Sequence, residues 1–159
     1  MKSVKGKVWR FGDHVDTDQI IPAERLVSEN LTHMGDFIFE KVRPGVAKEI
    51  KEGDIIVAGK NFGSGSSREH APRALMQAGI SCVVAESFAR IFFRNSINVG
   101  LLLVECKADY PEGSVITVDP KNGVITNGKK ETKFQQYPEF IASLISAGGL
   151  MAKIRDESK

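Results

Sequence analysis

The chain has 159 residues, of which 42% are hydrophobic and 26% charged, a composition typical of a globular protein with one domain, here residues 1–159. The net charge is +2 and basic residues are mixed with acidic ones, so we expect neither nucleic acid nor an anionic membrane as a partner. No apolar stretch approaches the length of a membrane span, and the N-terminus lacks the apolar run of a signal peptide, which predicts a cytoplasmic protein.

The first third of the chain is predicted to hold two strands separated by a long irregular segment. Residues 6–11 (GKVWRF) have the pattern of a strand, and the polar, acidic stretch after them ends at Pro22. Residues 23–50 are the least regular part of the sequence, with one short helical turn expected at 46–50. Residues 54–59 (DIIVAG) form a continuous apolar run of strand length.

From this strand onward the pattern predicts a βαβαβ unit. A helix is expected to end at Gly79, followed by a buried strand at 82–86, a helix at 88–100 and a third strand at 101–106. Buried consecutive strands joined by crossover helices indicate a parallel sheet with right-handed connections.

The C-terminal third changes in character. Residues 114–128 alternate between apolar and polar side chains around Asn122-Gly123, which predicts an antiparallel hairpin. Residues 138–154 are predicted to form a helix that is interrupted at Gly148-Gly149. The fold class is therefore α/β, with a parallel βαβαβ core, an added hairpin and a C-terminal helix.

The two cysteines, Cys82 and Cys106, each lie in an apolar, strand-like run. We expect both to be reduced, buried thiols. Two separated cysteines cannot by themselves form a four-cysteine zinc or iron–sulfur site, so we predict no metal ligands in this chain.

The segment with the most chemistry is GKNFGSGSSREHAP at 59–72, between the end of a predicted parallel strand and the next helix. Open α/β sheets bind their ligands at such positions. Glycines let backbone N–H groups approach an anion, and Arg68 can hold a carboxylate with two parallel hydrogen bonds. The segment lacks the patterns of a dinucleotide loop, a P-loop and a hydrolase nucleophile elbow.

A purely structural interpretation of this segment is also open. The residues from Ser66 to Glu69 fit the S-x-x-E pattern of a helix capping box, although Pro72 would then lie inside the helix. If Pro72 is instead the first helical residue, residues 66–70 form an irregular loop that is free to face a ligand. The residues alone favour neither alternative.

Three motifs in order, FGDHVDTDQIIPA at 11–23, GKNFGSGSSREHAP at 59–72 and AESFARIFFRNSINVGL at 85–101, resemble the aconitase superfamily. Within it, the resemblance is to the small subunits of 3-isopropylmalate dehydratases and homoaconitase-type enzymes, and it runs from about residue 5 to residue 151. It implies a swivelling β/β/α domain as a separate subunit. It also implies a large-subunit partner that carries a [4Fe–4S] cluster on its own three cysteines.

The resemblance further implies a reaction, the dehydration of a small hydroxy diacid and rehydration of the alkene in the other orientation. By resemblance Ser66 is the catalytic base, acting as an alkoxide that backbone N–H groups from Gly65 onward stabilise. Ser67 and Arg68 would bind a substrate carboxylate, and the cluster iron of the partner would act as the Lewis acid on the leaving hydroxide.

Two further residues match the family pattern less directly. Asp18 corresponds to an aspartate that helps to organise the site, although Asp16 and Asp18 are equally suited to capping the loop. His70 is expected to orient the loop by hydrogen bonds rather than to transfer protons. The 88–99 helix is expected to be core, and the side chains on it that could support the site are Arg90, Arg94 and Asn95.

The loop after DTDQIIPA is expected to face the substituent that differs between substrates of the family. Relatives that accept an extra carboxylate place an arginine where this chain has Val27, so we predict a branched aliphatic substituent, as in 3-isopropylmalate or a dimethyl-substituted malate. Arg25 is close enough in sequence to enter the pocket and restore the specificity of a homoaconitase. A non-catalytic anion-binding protein of the same fold is the alternative from another class.

Overall fold

The computed structural model describes residues 1–157 and contains one seven-stranded sheet with the strand order β4-β3-β2-β1-β5-β6-β7. The strands are β1 (Val4–Arg10), β2 (Ile55–Ala58), β3 (Cys82–Ala85), β4 (Leu102–Glu105), β5 (Val115–Asp119), β6 (Val124–Thr126) and β7 (Glu131–Lys133). The helices are α1 (Thr17–Ile20), α2 (Val46–Glu49), α3 (His70–Ala78), α4 (Arg90–Val99), α5 (Glu139–Ala147) and α6 (Leu150–Glu157).

The three predicted parallel strands are confirmed as β2, β3 and β4, with Ile55 opposite Cys82 and Cys82 opposite Leu102. All four residues of β2 and of β3 are buried, as their continuous apolar runs indicated. Alternate side chains point to opposite faces. One face packs against α3 and α4, and the other is covered by apolar side chains of the antiparallel strands.

Strand β1 joins the parallel and antiparallel halves of the sheet. Residues 8–10 pair in parallel with residues 55–57 of β2, while residues 4–7 pair antiparallel with residues 115–118 of β5. The strand itself was predicted, but its two sets of partners were not. This pairing places the end of β1 beside the end of β2, where the 59–72 loop begins.

The predicted hairpin is confirmed as β5 and β6, but its connection is longer than a two-residue turn. Asp119 pairs with Val124, which leaves a four-residue loop in which Asp119 accepts hydrogen bonds from the backbone and side chain of Asn122. The third antiparallel strand, β7, was not predicted. The C-terminal helix is interrupted as expected, with α5 ending before Gly148 and α6 beginning at Leu150.

The irregular segment between α1 and β2 consists of three 3₁₀ turns, Ala23–Arg25, Ser28–Asn30 and Met34–Phe37, followed by α2. The last of these turns packs closely on α3, since a Cβ on Gly35 would meet the backbone of Ala78. Two ion pairs connect the first turn to residues 40–41: Arg25 with Glu40 at 2.8 Å and Glu24 with Lys41 at 2.7 Å.

Both cysteines are free thiols, and they differ in burial. Cys82 is fully buried in β3, as expected, whereas Cys106 is only partly buried just after β4. Burial raises the pKa of the Cys106 thiol to about 11, so this thiol is protonated at neutral pH. Within residues 1–157, no helix is long and apolar enough to cross a bilayer.

Candidate active site

The loop between β2 and α3 is not a helix cap. Helix α3 begins at His70, and the residue before it, Glu69, makes no side-chain capping bond. The capping-box interpretation of Ser66 and Glu69 is therefore wrong, because both residues lie before the helix. Pro72 is the third residue of α3, in the first turn, where a missing N–H removes no intrahelical hydrogen bond.

The segment after β1 runs alongside this loop and holds it in place. Four backbone hydrogen bonds join the two: Gly59 N–H to the Gly12 carbonyl at 3.2 Å, His14 N–H to the Lys60 carbonyl at 2.7 Å, Gly63 N–H to the Val15 carbonyl at 2.6 Å and Thr17 N–H to the Ser64 carbonyl at 2.9 Å. Two of the motifs that carry the resemblance, 11–23 and 59–72, are thus brought into direct contact. The loop conformation itself needs glycine at position 65, where φ is +96°.

Ser66 lies exposed on this loop, with one side-chain partner. Its Oγ is 3.1 Å from the Oγ1 of Thr17, which is also 3.4 Å from the Ser66 carbonyl oxygen. Thr17 is only 2% exposed, so its hydroxyl is held in a fixed position at the start of α1. Sequence reasoning missed Thr17, although it lies between the two aspartates of the DTD motif.

Arg68 is held at one nitrogen and free at the others. Its Nη1 donates to Asp18 Oδ1 at 3.3 Å and to the Ile21 carbonyl at 3.4 Å. In the described part of the chain, Nε and Nη2 have no hydrogen-bond partner. These two nitrogens form the side of the guanidinium that can donate two parallel hydrogen bonds to a carboxylate. The side chain is 25% exposed.

Asp18 links Arg68 to the neighbouring turn. Its Oδ1 also accepts the Ala23 N–H at 3.0 Å, and its Oδ2 accepts from Lys41 Nζ at 3.1 Å. The hydrogen bond from Ala23, then those from Lys41 and Arg68, hold the pKa of Asp18 below its usual range. Asp18 is therefore ionised at neutral pH. It caps the following turn and positions Arg68, so the two interpretations of this residue are compatible.

Asp16, in contrast, is a capping residue. Its side chain accepts the Gln19 N–H at 2.8 Å, and the Gln19 side chain accepts the Asp16 N–H at 3.1 Å, a reciprocal capping box at the start of α1. This box fixes the helix that carries Thr17 and Asp18. The two aspartates of the motif thus have different structural roles.

The remaining predicted residues surround Ser66 and Arg68 less closely. Ser67 is exposed, and its carbonyl accepts a hydrogen bond from Asn95 of α4 at 3.4 Å, so α4 does support the loop. Gly65 is exposed beside Ser66. The His70 ring makes no hydrogen bond to any other residue of the range 1–157. Its orienting role therefore stays a prediction without a contact to support it.

Val27 and Arg25 have very different environments. Val27 is 42% exposed between two 3₁₀ turns. The Arg25 guanidinium donates to Glu40 at 2.8 Å and lies 4.4 Å from the centroid of the Phe37 ring. Arg25 is therefore already paired, whereas Val27 is free to contact a substrate or a partner.

Residues 1–157 do not offer the ligands of an iron–sulfur cluster. Within residues 1–157, no group of three or more His, Cys, Asp or Glu side chains is arranged to hold a metal ion. Burial raises the pKa of the Cys82 thiol well above its usual range.

Comparison with known proteins places this geometry in a family. A model described as the aconitase C-terminal domain matches residues 44–109. The 3-isopropylmalate dehydratase small subunit of Hydrogenobaculum sp. is 51% identical over 93% of each chain. The isopropylmalate/citramalate isomerase small subunit of Methanocaldococcus jannaschii is 50% identical over 96% of this chain and 94% of its own length.

A methanogen homoaconitase small subunit from Methanothermobacter thermautotrophicus is 45% identical over 93% of this chain and 88% of its own. The crystal structure of 3-isopropylmalate dehydratase from Methanocaldococcus jannaschii superposes with a TM-score of 0.93 and 38% identity, covering 99% of this chain and 96% of that one. The predicted fold is thereby confirmed. The chain belongs to the 3-isopropylmalate dehydratase small-subunit family of the aconitase superfamily.

Proposed function

We propose that this chain is the small subunit of a hydro-lyase that interconverts 2-isopropylmalate and 3-isopropylmalate and acts only with its large subunit. The observation that carries the proposal is the placement of Ser66, Ser67 and Arg68 on one exposed loop, with one side of the Arg68 guanidinium free. Asp18 and the Ile21 carbonyl fix the other side of that guanidinium. Close relatives named as small subunits of this enzyme support the same conclusion.

In this proposal Arg68 binds a substrate carboxylate through Nε and Nη2. Such a bidentate pair sets both the position and the orientation of the diacid. Because Asp18 also accepts from Lys41, the charge of Asp18 is shared between two cations. Arg68 therefore keeps enough positive character to attract the negative charge that develops on the substrate carboxylate when the neighbouring C–H is deprotonated.

Ser66 Oγ removes that proton and returns it in the reverse direction. Ionisation of an alcohol is unfavourable near neutral pH, so the alkoxide must be stabilised by nearby hydrogen-bond donors. These hydrogen bonds are stronger where solvent is excluded. The Thr17 hydroxyl lies 3.1 Å from Ser66 Oγ and can donate to the alkoxide. Backbone N–H groups from Gly65 onward are the others. Solvent exclusion must come from the partner, since Ser66 is exposed in this chain.

The [4Fe–4S] cluster belongs to the large subunit in this proposal, because the residues of this chain do not fit it. The cluster would supply the Lewis acid for the substrate hydroxyl. The contribution of the small subunit is the binding of a carboxylate by Arg68 and the transfer of one proton at Ser66.

The substituent is assigned to the 23–30 segment. With Arg25 paired to Glu40 and stacked on Phe37, an apolar Val27 is left to meet the variable group. An unpaired carboxylate there would lose several kcal/mol, whereas each buried methylene-sized group contributes about 0.8 kcal/mol. A branched aliphatic substituent fits this environment, so 3-isopropylmalate is the first substrate to test and a dimethyl-substituted malate the second.

The test is anaerobic reconstitution with the cognate large subunit, followed by assays with isopropylmalate, dimethylmalate and homocitrate. Ser66→Ala should lower kcat by about 10²–10⁴-fold, the range for loss of a general base, while the subunits still co-elute on gel filtration. Ser64→Ala, two residues away in the same loop, is the matched control and should retain activity. Near-normal turnover of Ser66→Ala would refute the role of Ser66. A wild-type complex that binds these diacids without converting them would instead support a non-catalytic anion-binding protein.

A further inference from the structure

We infer that a groove on the helical face, lined by α3, α4 and α6, is the surface on which the large subunit docks. The inference rests on the proposed function, because it takes the partner from that proposal. It adds the location of the contact and the residues that form it.

The groove consists of two adjoining cavities of about 380 and 170 Å³. Its apolar floor is formed by Met76, Leu150 and Met151, which are 38%, 38% and 67% exposed. Val99 of α4 lines both cavities and joins them. Large apolar side chains that are this exposed and this close together mark a binding surface more often than a free one.

The groove is preformed rather than created by a mobile C-terminus. Helix α6 follows Gly149, where φ is +109° and where a Cβ would overlap the Asn98 carbonyl oxygen at the end of α4. The Gly149 N–H also donates to the Leu144 carbonyl at 2.8 Å. These contacts fix the start of α6 against α4, so little conformational entropy is lost when a partner binds.

The chemistry of the groove specifies a protein partner with acidic side chains. Arg73 and Arg155 both line the larger cavity, and neither forms an ion pair with another residue in the range 1–157. Arginine and methionine are both enriched in the centres of protein interfaces.

The groove is continuous with the proposed active site. Glu69, the residue after Arg68, lines the smaller cavity together with Asn95. Asn95 in turn donates to the Ser67 carbonyl at 3.4 Å. A partner that covers the 63–68 loop closely enough to exclude water from Ser66 therefore also reaches this groove. The large subunit is that partner.

The test compares Met151→Asp with Phe140→Asp in binding to the large subunit. Phe140 lies on α5 and is a large apolar side chain that is 63% exposed, close to the 67% of Met151. It lines neither cavity, so it serves as the control for a surface substitution outside the groove. Met151→Asp should raise the dissociation constant by about tenfold or more, the loss expected for a central apolar contact. Arg155→Glu should also weaken binding, and Phe140→Asp should not.

Two measurements separate a docking defect from other damage. Thermal unfolding of each variant should match the wild type, because the substituted side chains are exposed. At saturating large subunit, Met151→Asp should reach the kcat of the wild type, since the site residues are intact. Dissociation constants are measured by sedimentation or by fluorescence of a labelled large subunit.

The outcomes distinguish this inference from the proposed function. If the wild type forms an active complex and Met151→Asp binds as tightly, only the docking surface is refuted. The docking surface alone is also refuted if Phe140→Asp weakens binding as much as Met151→Asp does. It is likewise refuted if Met151→Asp changes self-association of this chain without changing its binding to the large subunit. If the wild type forms no complex with the large subunit, both proposals fail.

Discussion

The contact between Thr17 and Ser66 gives the sharpest prediction about the chemistry, because a nearly isosteric substitution removes it. Thr17→Val replaces the hydroxyl by a methyl group and keeps the shape of a side chain that is 2% exposed. The substitution deletes the 3.1 Å contact with Ser66 Oγ and the 3.4 Å contact with the Ser66 carbonyl. The backbone bond from Thr17 to Ser64 remains.

The expected effect on turnover follows from the charge of the acceptor. A hydrogen bond to a charged group contributes about 1.5–3 kcal/mol, against about 0.5–1.5 kcal/mol for a neutral pair. If Ser66 acts as an alkoxide, Thr17→Val should therefore lower kcat by about 10- to 100-fold. In the folded ground state both hydroxyls are neutral, so the free energy of unfolding should fall by only about 1 kcal/mol.

The assay is steady-state kinetics of the reconstituted enzyme across pH, with Thr17→Ser as the matched control. Thr17→Ser keeps the hydroxyl and loses one methyl group, which should reduce stability by about 0.8 kcal/mol and leave kcat near the wild-type value. A hydrogen bond to the ionised form lowers a pKa. Its loss in Thr17→Val should therefore raise the apparent pKa of the base and shift the acidic limb of the pH–rate profile to higher pH.

Two results would contradict this reasoning. If Thr17→Val and Thr17→Ser have the same kcat, the hydroxyl has no role in turnover. If kcat falls without any displacement of the acidic limb, Thr17 supports the loop only as a packing residue. A rise in KM alone would mean that Thr17 affects substrate binding, which the structure does not predict.

Three further predictions concern the residues around Ser66. Arg68→Lys should lower kcat/KM by about 10- to 100-fold, because a point charge cannot replace two parallel hydrogen bonds; activity near that of the wild type would show that Arg68 acts only as a distant charge. Asp18→Asn should lower the free energy of unfolding at pH 7 by roughly 0.5–1 kcal/mol, since its ion pairs with Arg68 and Lys41 are partly exposed. The pKa of Asp18 is depressed in the folded state, so its contribution to the free energy of unfolding is present above the unfolded pKa of about 3.9 and is lost as pH falls through the folded pKa. In urea titrations, the difference in the free energy of unfolding between Asp18→Asn and wild type should therefore disappear in acid. A difference that stays constant with pH would exclude the charge of Asp18 as its cause. Val27→Arg should raise kcat/KM for homocitrate relative to isopropylmalate, and an unchanged ratio would place Val27 outside the pocket.

The parallel half of the fold was predictable because its signal is local. Strands β2, β3 and β4 are continuous apolar runs, and two-sided burial in a parallel sheet requires such runs. Strand β7, Glu131–Lys133, gave no signal because its three residues are polar and it lies at the edge of the sheet. The pairing of β1 with both β2 and β5 was also not predictable, because long-range packing rather than the residue pattern of a strand determines which strands pair with it.

The residues of the candidate site likewise divide into those that a local motif identified and those that only the fold brings together. Ser66 and Arg68 stand in one short motif, so the sequence identified them together. Their fixed partners, Thr17 and Asp18, are 49 and 50 residues away. The order of the motifs pointed to Asp18, but a threonine between two capping aspartates looks like part of a turn. Its contact with Ser66 exists only because residues 13–17 lie along the loop, which no periodicity indicates.

The proposed function predicts that this chain is inert without its partner. The positions of Ser66 and Arg68 are fixed within the small subunit, by Thr17, by Asp18 and by the support of Asn95 on α4. What is missing is exclusion of water from these donors, because Ser66 is exposed in this chain. Electrostatic interactions strengthen when water is excluded, so covering the loop would strengthen the stabilisation of an alkoxide by these same donors. If both proposals hold, docking in the neighbouring groove and activation of the serine occur together, and weaker docking should reduce activity only by reducing the fraction of assembled enzyme.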